Sequence, residues 1–293
     1  MSSSALDANI MKPVCLGLPL AKGTPVMIFC SGFPDTYNSF DLITPKFKTT
    51  HHIQLYIMPS YDSPGLPTSA YFGHSFRKIT DDLASRLSTI KGIQGRGDLV
   101  LVGHDWGSIV VQRVASAYPS LATRVVLLDV GYLNPLKVGV KSLAVMASYQ
   151  VWMALAFLVG RLTLGKLGDL MVAWYPWTTI GPAPYEFNEP RDRKEIRSWM
   201  AYPYFQLLFC TAFNGDAPNV KASNSYDLVS AVPTLFVYGA RKRAMFHDAN
   251  FLKRLANAKN GSKFEGLECG HWIQTQKPDE LGRIMDSWLG GLK

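Results

Sequence analysis

Seven short apolar runs, each bounded by turn-forming residues, set the rhythm of the chain. They are VCLGLPL (14–20), PVMIFC (25–30), HIQLYIM (52–58), DLVLVG (98–103), VVLLDV (125–130), TLFVY (234–238) and the weaker KFEGLE (263–268). Runs of this length with little polar alternation suit strands buried on both faces. Between them the apolar spacing becomes helical in SFRKITDDLASRLSTI (75–90), WGSIVVQRVASAYP (106–119) and PDELGRIMDSWLGGL (278–292). Strand alternating with helix predicts an α/β fold, with a mostly parallel central sheet and helices on both faces. The rhythm breaks between about 133 and 222, where the chain turns helical, aromatic and rich in Trp and Pro. The expected organisation is a core in two parts, 1–132 and 223–293, with a helical lid, 133–222, inserted between them.

One stretch of that insertion, SLAVMASYQVWMALAFLVG (142–160), carries no charged side chain. Its length approaches that of a bilayer span, but its Ser, Tyr and Gln and its mid-chain position favour a buried or pocket-lining helix. A lipophilic substrate, or peripheral contact with a membrane surface, stays open. The four cysteines show no paired spacing, and the N-terminus lacks a basic start followed by an apolar core, so a reducing, cytoplasmic setting is expected. With 47% hydrophobic residues the chain can bury a large core. The net charge of +8 is scattered, with its densest runs at RDRK (191–194) and RKR (241–243). A nucleic-acid site would gather basic residues with aromatic platforms on one face, so nucleic acid is not an expected partner. The six histidines form no HExxH or His-x-His set, and no metal or organic cofactor is expected.

The chemistry concentrates in VGHDWGS (102–108), directly after the run DLVLV. A Gly-x-nucleophile-x-Gly turn between strand and helix lifts its central side chain to the carboxyl end of the sheet, beside a helix N-terminus. Here that side chain is Asp105. A serine attacking saturated carbon would form an ether that water and a histidine cannot reopen. A carboxylate forms an alkyl ester instead, and that ester can be cleaved at the aspartyl carbonyl. An aspartate in this turn therefore points to displacement at carbon, on an epoxide or an alkyl halide. Late in the chain CGHWIQTQKPDEL (269–281) offers His271 as the general base for the second step. CSGFPDTYNSF (30–40) follows an early strand, and the backbone N–H groups of Phe33 and Trp106 are the expected oxyanion hole. The Phe33–Pro34 bond is a candidate cis peptide.

Together SGFPD, GHDWGS, LLDV, a Tyr-Gln in the insertion, PTLFVYG and GHWIQTQKP resemble the α/β-hydrolase superfamily, and within it the epoxide hydrolase branch. The resemblance covers nearly the whole chain. It implies two lid tyrosines that hold the epoxide oxygen. Tyr149, followed by Gln150, matches the first, and Tyr204 is preferred over Tyr202 for the second. Gln150, Tyr202 and Trp152 are expected to contact substrate. Trp152, Phe157, Trp174, Trp177 and Phe205 suggest a broad apolar pocket, suited to a long hydrophobic epoxide from natural-product metabolism. The chain departs from the family in two places. Ser31 stands where a histidine is usual. The acid that orients the base usually lies nine residues past the strand proline, and counting from Pro233 lands on Lys242, which cannot accept an imidazole N–H. Asp129 at the end of VVLLDV is the expected replacement. Asp248 is better explained as the N-cap of DANFLKRL.

The resulting expectation is an epoxide hydrolase acting through an Asp105 alkyl ester that water activated by His271 hydrolyses. The alternatives are displacement of the haloalkane dehalogenase type, and a degenerate hydrolase that binds a ligand. The oligomeric state is not given by these residues.

Overall fold

The computed structural model describes residues 14–62, 65–67, 70–132, 140–175, 196–210, 228–242 and 244–291. All seven apolar runs become strands: β1 (Val14–Gly17), β2 (Val26–Cys30), β3 (His52–Tyr56), β4 (Leu99–His104), β5 (Arg124–Leu128), β6 (Thr234–Gly239) and β7 (Lys263–Leu267). They form one sheet in the order β1-β3-β2-β4-β5-β6-β7. Only β1 runs antiparallel to its neighbour, so the sheet is mostly parallel.

The lack of polar alternation in the central strands follows from what covers them. In β2, Val26, Ile28 and Cys30 pack into one core, against Phe76, Ile79 and Leu83 of α1 (Phe76–Gln94) and Val110 and Val114 of α2 (Trp106–Ala117). The intervening Met27 and Phe29 pack into a second core on the opposite face, with Phe40, Leu281 and Met285. Both faces are dry, so both sets of alternating positions must be apolar. The edge strand β7 is exposed along most of its length and accordingly carries the charged Lys263 and Glu265.

Helix starts are set by local chemistry. The Ser75 side chain accepts from Lys78 N–H at 3.2 Å at the head of α1. Asp248 accepts from Phe251 N–H at 2.8 Å ahead of the helix Ala249–Asn257.

Between β5 and β6 the chain builds α3 (Val140–Leu162), α4 (Lys166–Trp174), a 3-10 turn (Ser198–Ala201) and α5 (Tyr202–Phe205). These segments are stitched together by Asp169, whose Oδ1 accepts from both the N–H and the hydroxyl of Ser198 at 2.7 Å. They are fastened to the segment preceding α1 by Arg161, donating to Pro67 O at 2.5 Å, and by Gln206, donating to Phe72 O at 2.7 Å. Residues 142–162 are long and apolar enough to cross a membrane, yet 39% of their most apolar window is buried within the protein. α6 (Leu228–Ala231) precedes β6, and α7 (Ala249–Asn257), α8 (Ile273–Gln276) and α9 (Pro278–Gly290) follow it. Trp177 and the run 191–194 lie outside the described residues.

α2 crosses the end of β2 at very close range. A Cβ built on Gly107 would sit 2.0 Å from the carbonyl oxygen of Cys30, which is backbone and cannot yield. Gly107→Ala should cost about 2–3 kcal/mol or more of stability. Gly92→Ala, in α1 where an added Cβ meets nothing within 4 Å, should instead stabilise by about 0.5–1 kcal/mol. Urea unfolding of the two variants beside the parent checks both signs.

Candidate active site

The parallel sheet ends its strands on one edge, and the loops leaving β2, β4, β5, β6 and β7 bring the chemistry together there. Asp105 follows β4 directly and takes φ 54°, ψ −125°, a conformation that costs a non-glycine residue about 1–3 kcal/mol. The strain turns its carboxylate away from the helix it precedes and toward the loop after β2. Gly32 in that loop lets the two backbones meet, because a Cβ there would lie 2.3 Å from both Asp105 Oδ1 and Trp106 N. Phe33 N–H donates to Asp105 Oδ1 at 2.8 Å. The Phe33–Pro34 peptide is cis. The Asp105 side chain is 15% exposed, enough for a small molecule or water to reach it.

His271, on the loop between β7 and α8, presents Nε2 to the other oxygen, Asp105 Oδ2, at 3.5 Å. Its Nδ1 makes a short hydrogen bond to Asp129 Oδ2. Asp129 follows β5 with φ 68° and is fully buried. Its Oδ1 accepts from Gly239 N–H at 2.9 Å and from the buried ammonium of Lys242. Asp248 remains at its helix N-cap. Burial alone would raise the Asp129 carboxyl, but Lys242 and His271 outweigh it and hold the group ionised, well below the usual carboxylate range. Burial would likewise depress the His271 imidazole. The charge of Asp129 and the contact with Asp105 reverse that and push it up to about 9. At neutral pH His271 is therefore an imidazolium between two carboxylates.

A second layer fixes the imidazole from behind. His104 Nε2 donates to the carbonyl oxygen of His271 at 3.0 Å, and its Nδ1 lies 3.1 Å from Gln274 Nε2. Burial first, and then His271, lower the His104 imidazole to about 3, so it is neutral. Trp272 Nε1 donates to Asp35 Oδ2 at 2.8 Å, tying the histidine loop to the loop after β2. Ser31, where a histidine is usual, is buried.

Tyr149 on α3 and Tyr204 on α5 meet hydroxyl to hydroxyl at 2.6 Å. The Tyr204 ring stands edge-on to Trp106 at 5.0 Å and to Phe33 at 5.4 Å, directly over the elbow. Both phenols are pushed well above 10, by burial first, with Tyr149 and Asp105 adding to the rise at Tyr204. They stay protonated and can donate. Tyr202 goes elsewhere: its ring packs on Tyr61 and His74, and its buried hydroxyl has no partner among the described residues. Gln150 is half-buried. Trp152 does not reach the elbow: it is 38% exposed and donates to Met171 O at 3.0 Å on α4. Trp174 is 78% exposed, while Phe157 and Phe205 pack together in the core of the insertion. The expected apolar lining is thus split between the interior and the outer surface. Tyr61 and Trp106 each bury a donor, Oη and Nε1 respectively, with no partner among the described residues. A surface groove of about 330 Å³ between β7 and α9 contains none of these groups.

The residues that sequence reasoning missed are Lys242 as a partner of Asp129, and the Asp35–Trp272 and His104–Gln274 contacts. Lys242 was visible only as a departure from an expected acid. The others join positions more than 150 residues apart, and nothing local marks them.

This chain belongs to the alpha/beta hydrolase fold family, whose pattern matches residues 25–278. Among characterised proteins it is 25% identical over 278 residues to a cis-3-alkyl-4-alkyloxetan-2-one decarboxylase of Shewanella oneidensis, covering 89% of this chain and 80% of that protein. It is 24% identical over 113 residues to human Epoxide hydrolase 4, covering 39% of this chain and only 30% of that one. Among solved structures, Epoxide Hydrolase A from Mycobacterium thermoresistibile superposes with a TM-score of 0.61 at 16% identity, over 96% of this chain and 99% of that one, a likeness of fold.

The raised imidazole makes stability depend on pH. His271 contributes fully below its unfolded value of about 6.5, and that contribution is lost as pH rises through about 9. Urea midpoints should therefore fall between about pH 6.5 and 9. In Asp105→Asn, which removes one of the two carboxylates, the fall should be smaller and end at lower pH.

Proposed function

We propose that this α/β hydrolase is an epoxide hydrolase that opens a lipophilic epoxide to a vicinal diol through an Asp105 ester. The observation that carries the reading is the division of labour on one carboxylate. Oδ1 sits on the Phe33 N–H at 2.8 Å, while Oδ2 faces His271 at 3.5 Å. Oδ2 attacks a ring carbon, the ring C–O bond breaks, and the oxygen takes a proton from the Tyr149–Tyr204 pair. Oδ1 becomes the ester carbonyl oxygen, already in its donor site.

Forming the ester removes the Asp105 charge, which is one of the causes keeping His271 protonated. The imidazole then falls toward neutrality, gives its resting proton to solvent and can take a proton from water while hydroxide adds to the Asp105 carbonyl carbon; it regains a solvent proton once Asp105 is ionised again. Phe33 and Trp106 N–H groups hold the oxyanion. Collapse breaks the acyl C–O bond, and the departing alkoxide takes the proton from His271. The Asp105 carboxylic acid returns its proton to the tyrosine pair. Water and epoxide are consumed, and only the diol is released.

The alignment of Asp129, His271 and Asp105 supports catalysis over a degenerate ligand-binding role. The paired phenols support an oxygen leaving group over a halide. Exposed Val151, Leu155, Leu167, Leu170 and Trp174 on α3 and α4 support peripheral contact with lipid and a lipophilic substrate. The unpaired Cys30 and Cys269 support a reducing, cytoplasmic setting. A second reading, opening of an alkyl-substituted four-membered lactone with loss of carbon dioxide, is favoured by the extent of the match to the Shewanella decarboxylase.

His271→Gln supplied with a lipophilic epoxide should accumulate an Asp105-linked adduct in intact-mass spectra. A parent enzyme that turns the epoxide over while the variant shows no adduct contradicts the covalent route. Tyr149→Phe should slow adduct formation roughly 10²-fold. Offered a cis-3-alkyl-4-alkyloxetan-2-one in parallel, the parent should release alkene and carbon dioxide only if the second reading is correct.

A further inference from the structure

The geometry points to Lys242 as a positioning residue: its buried ammonium anchors Asp129 on the oxygen opposite the imidazole, so a cation after β6 stands behind an acid supplied by β5. The inference rests on the reading of Asp105 and His271 above and concerns how their base is tuned. Lys242 is 1% exposed and Asp129 is not exposed at all. Its ammonium also stacks over the Phe246 ring at 4.9 Å, and that same ring stands edge-on to His271 at 5.6 Å. Phe246 is itself fixed by its carbonyl, which accepts from Gly131 N–H at 3.0 Å just beyond Asp129. The lysine, the acid, the base and the phenyl ring thus form one packed unit.

A buried ion pair is a poor stabilising device, because desolvating both charges consumes most of their attraction. Asp129 also has two other donors, Gly239 N–H and the imidazole. The lysine therefore has a role beyond satisfying a hydrogen bond. Along Asp105, His271, Asp129 and Lys242 the charges alternate minus, plus, minus, plus. The terminal plus weakens the field that Asp129 exerts on the imidazole while locking the carboxylate in place. Without it, His271 would face two unmoderated carboxylates and would hold its proton too tightly to act as a base once Asp105 is esterified. The other ionisable groups around this unit are His104 and Asp35 behind the imidazole, and Cys269 and His247 beside the lysine. His104 and His247 are neutral, lowered by burial to about 3 and about 4. Cys269 is raised to about 12, chiefly by burial, and remains a thiol. Among the described residues, Lys242 is the cation left to moderate Asp129.

The test is the ring titration of His271, followed by nitrogen-15 NMR in the ligand-free protein and assigned by its loss in His271→Gln. In Lys242→Met the midpoint should rise by about 1 pH unit above the parent's. Lys242→Gln, which keeps an N–H donor for Asp129 without the charge, should also raise it, and it serves if Lys242→Met does not fold. Lys242→Arg should restore the parent value. In single-turnover work with the epoxide, the acid limb of ester hydrolysis should move up by the same amount, making that step roughly 10-fold slower below the limb, with adduct formation little changed. A His271 midpoint that is unchanged or lowered in the neutral variants overturns the proposal. The titration needs no substrate, so its outcome is separate from that of the His271→Gln adduct experiment.

Discussion

The buried carboxylate of Asp129 is the point on which the site depends. A buried ionised group survives only if it is paired and hydrogen-bonded, and here donors from the ends of β6 and β7 supply that. Gly239 N–H comes from β6, Lys242 from the loop that follows it, and His271 from the loop after β7. One desolvated charge thereby fixes the relative positions of three loops that share no sequence. Satisfying it places the imidazole at Asp105 as a consequence.

Asp105 is held by a different kind of constraint. Asp105 sits in a strained turn and Asp129 also has positive φ, so both acids are aimed by backbone conformation rather than by flexible rotamers. Their environments differ in a useful way. Asp105 is partly open, with one oxygen on a backbone donor and the other on the imidazole, whereas Asp129 is sealed. The open acid can be consumed and regenerated. The sealed one can only orient the base and polarise it. Above them Tyr149 on α3 and Tyr204 on α5 meet hydroxyl to hydroxyl, and the Tyr204 ring packs on Trp106 and Phe33 of the core.

The comparisons fit this division. Family membership rests on a match across nearly the whole sheet and its loops, whereas relatives with quite different ring-opening chemistry share the chain at about a quarter identity. The fold fixes where a nucleophile and a base stand.

Much of this was legible in the sequence wherever the determining physics is local. Buried parallel strands must be apolar on both faces, so seven runs announced seven strands, and Asp248 marked a helix start through a bond to the residue three positions on. GHDWG likewise carries its own turn geometry, which is why Asp105 could be singled out from five residues. Other features were not legible. The spacing of Tyr202 and Tyr204 does not say which faces Tyr149, because neighbours on a one-turn helix are sorted by what packs against them. Apolar composition could not tell that Trp152 would spend its N–H on α4 and Phe157 would turn inward. Lys242 read as a missing acid because its partner lies 113 residues away. Local periodicity and turn chemistry belong to the chain itself. The pairing of charges across strands belongs to the strand order, and only the folded sheet brings those strand ends together.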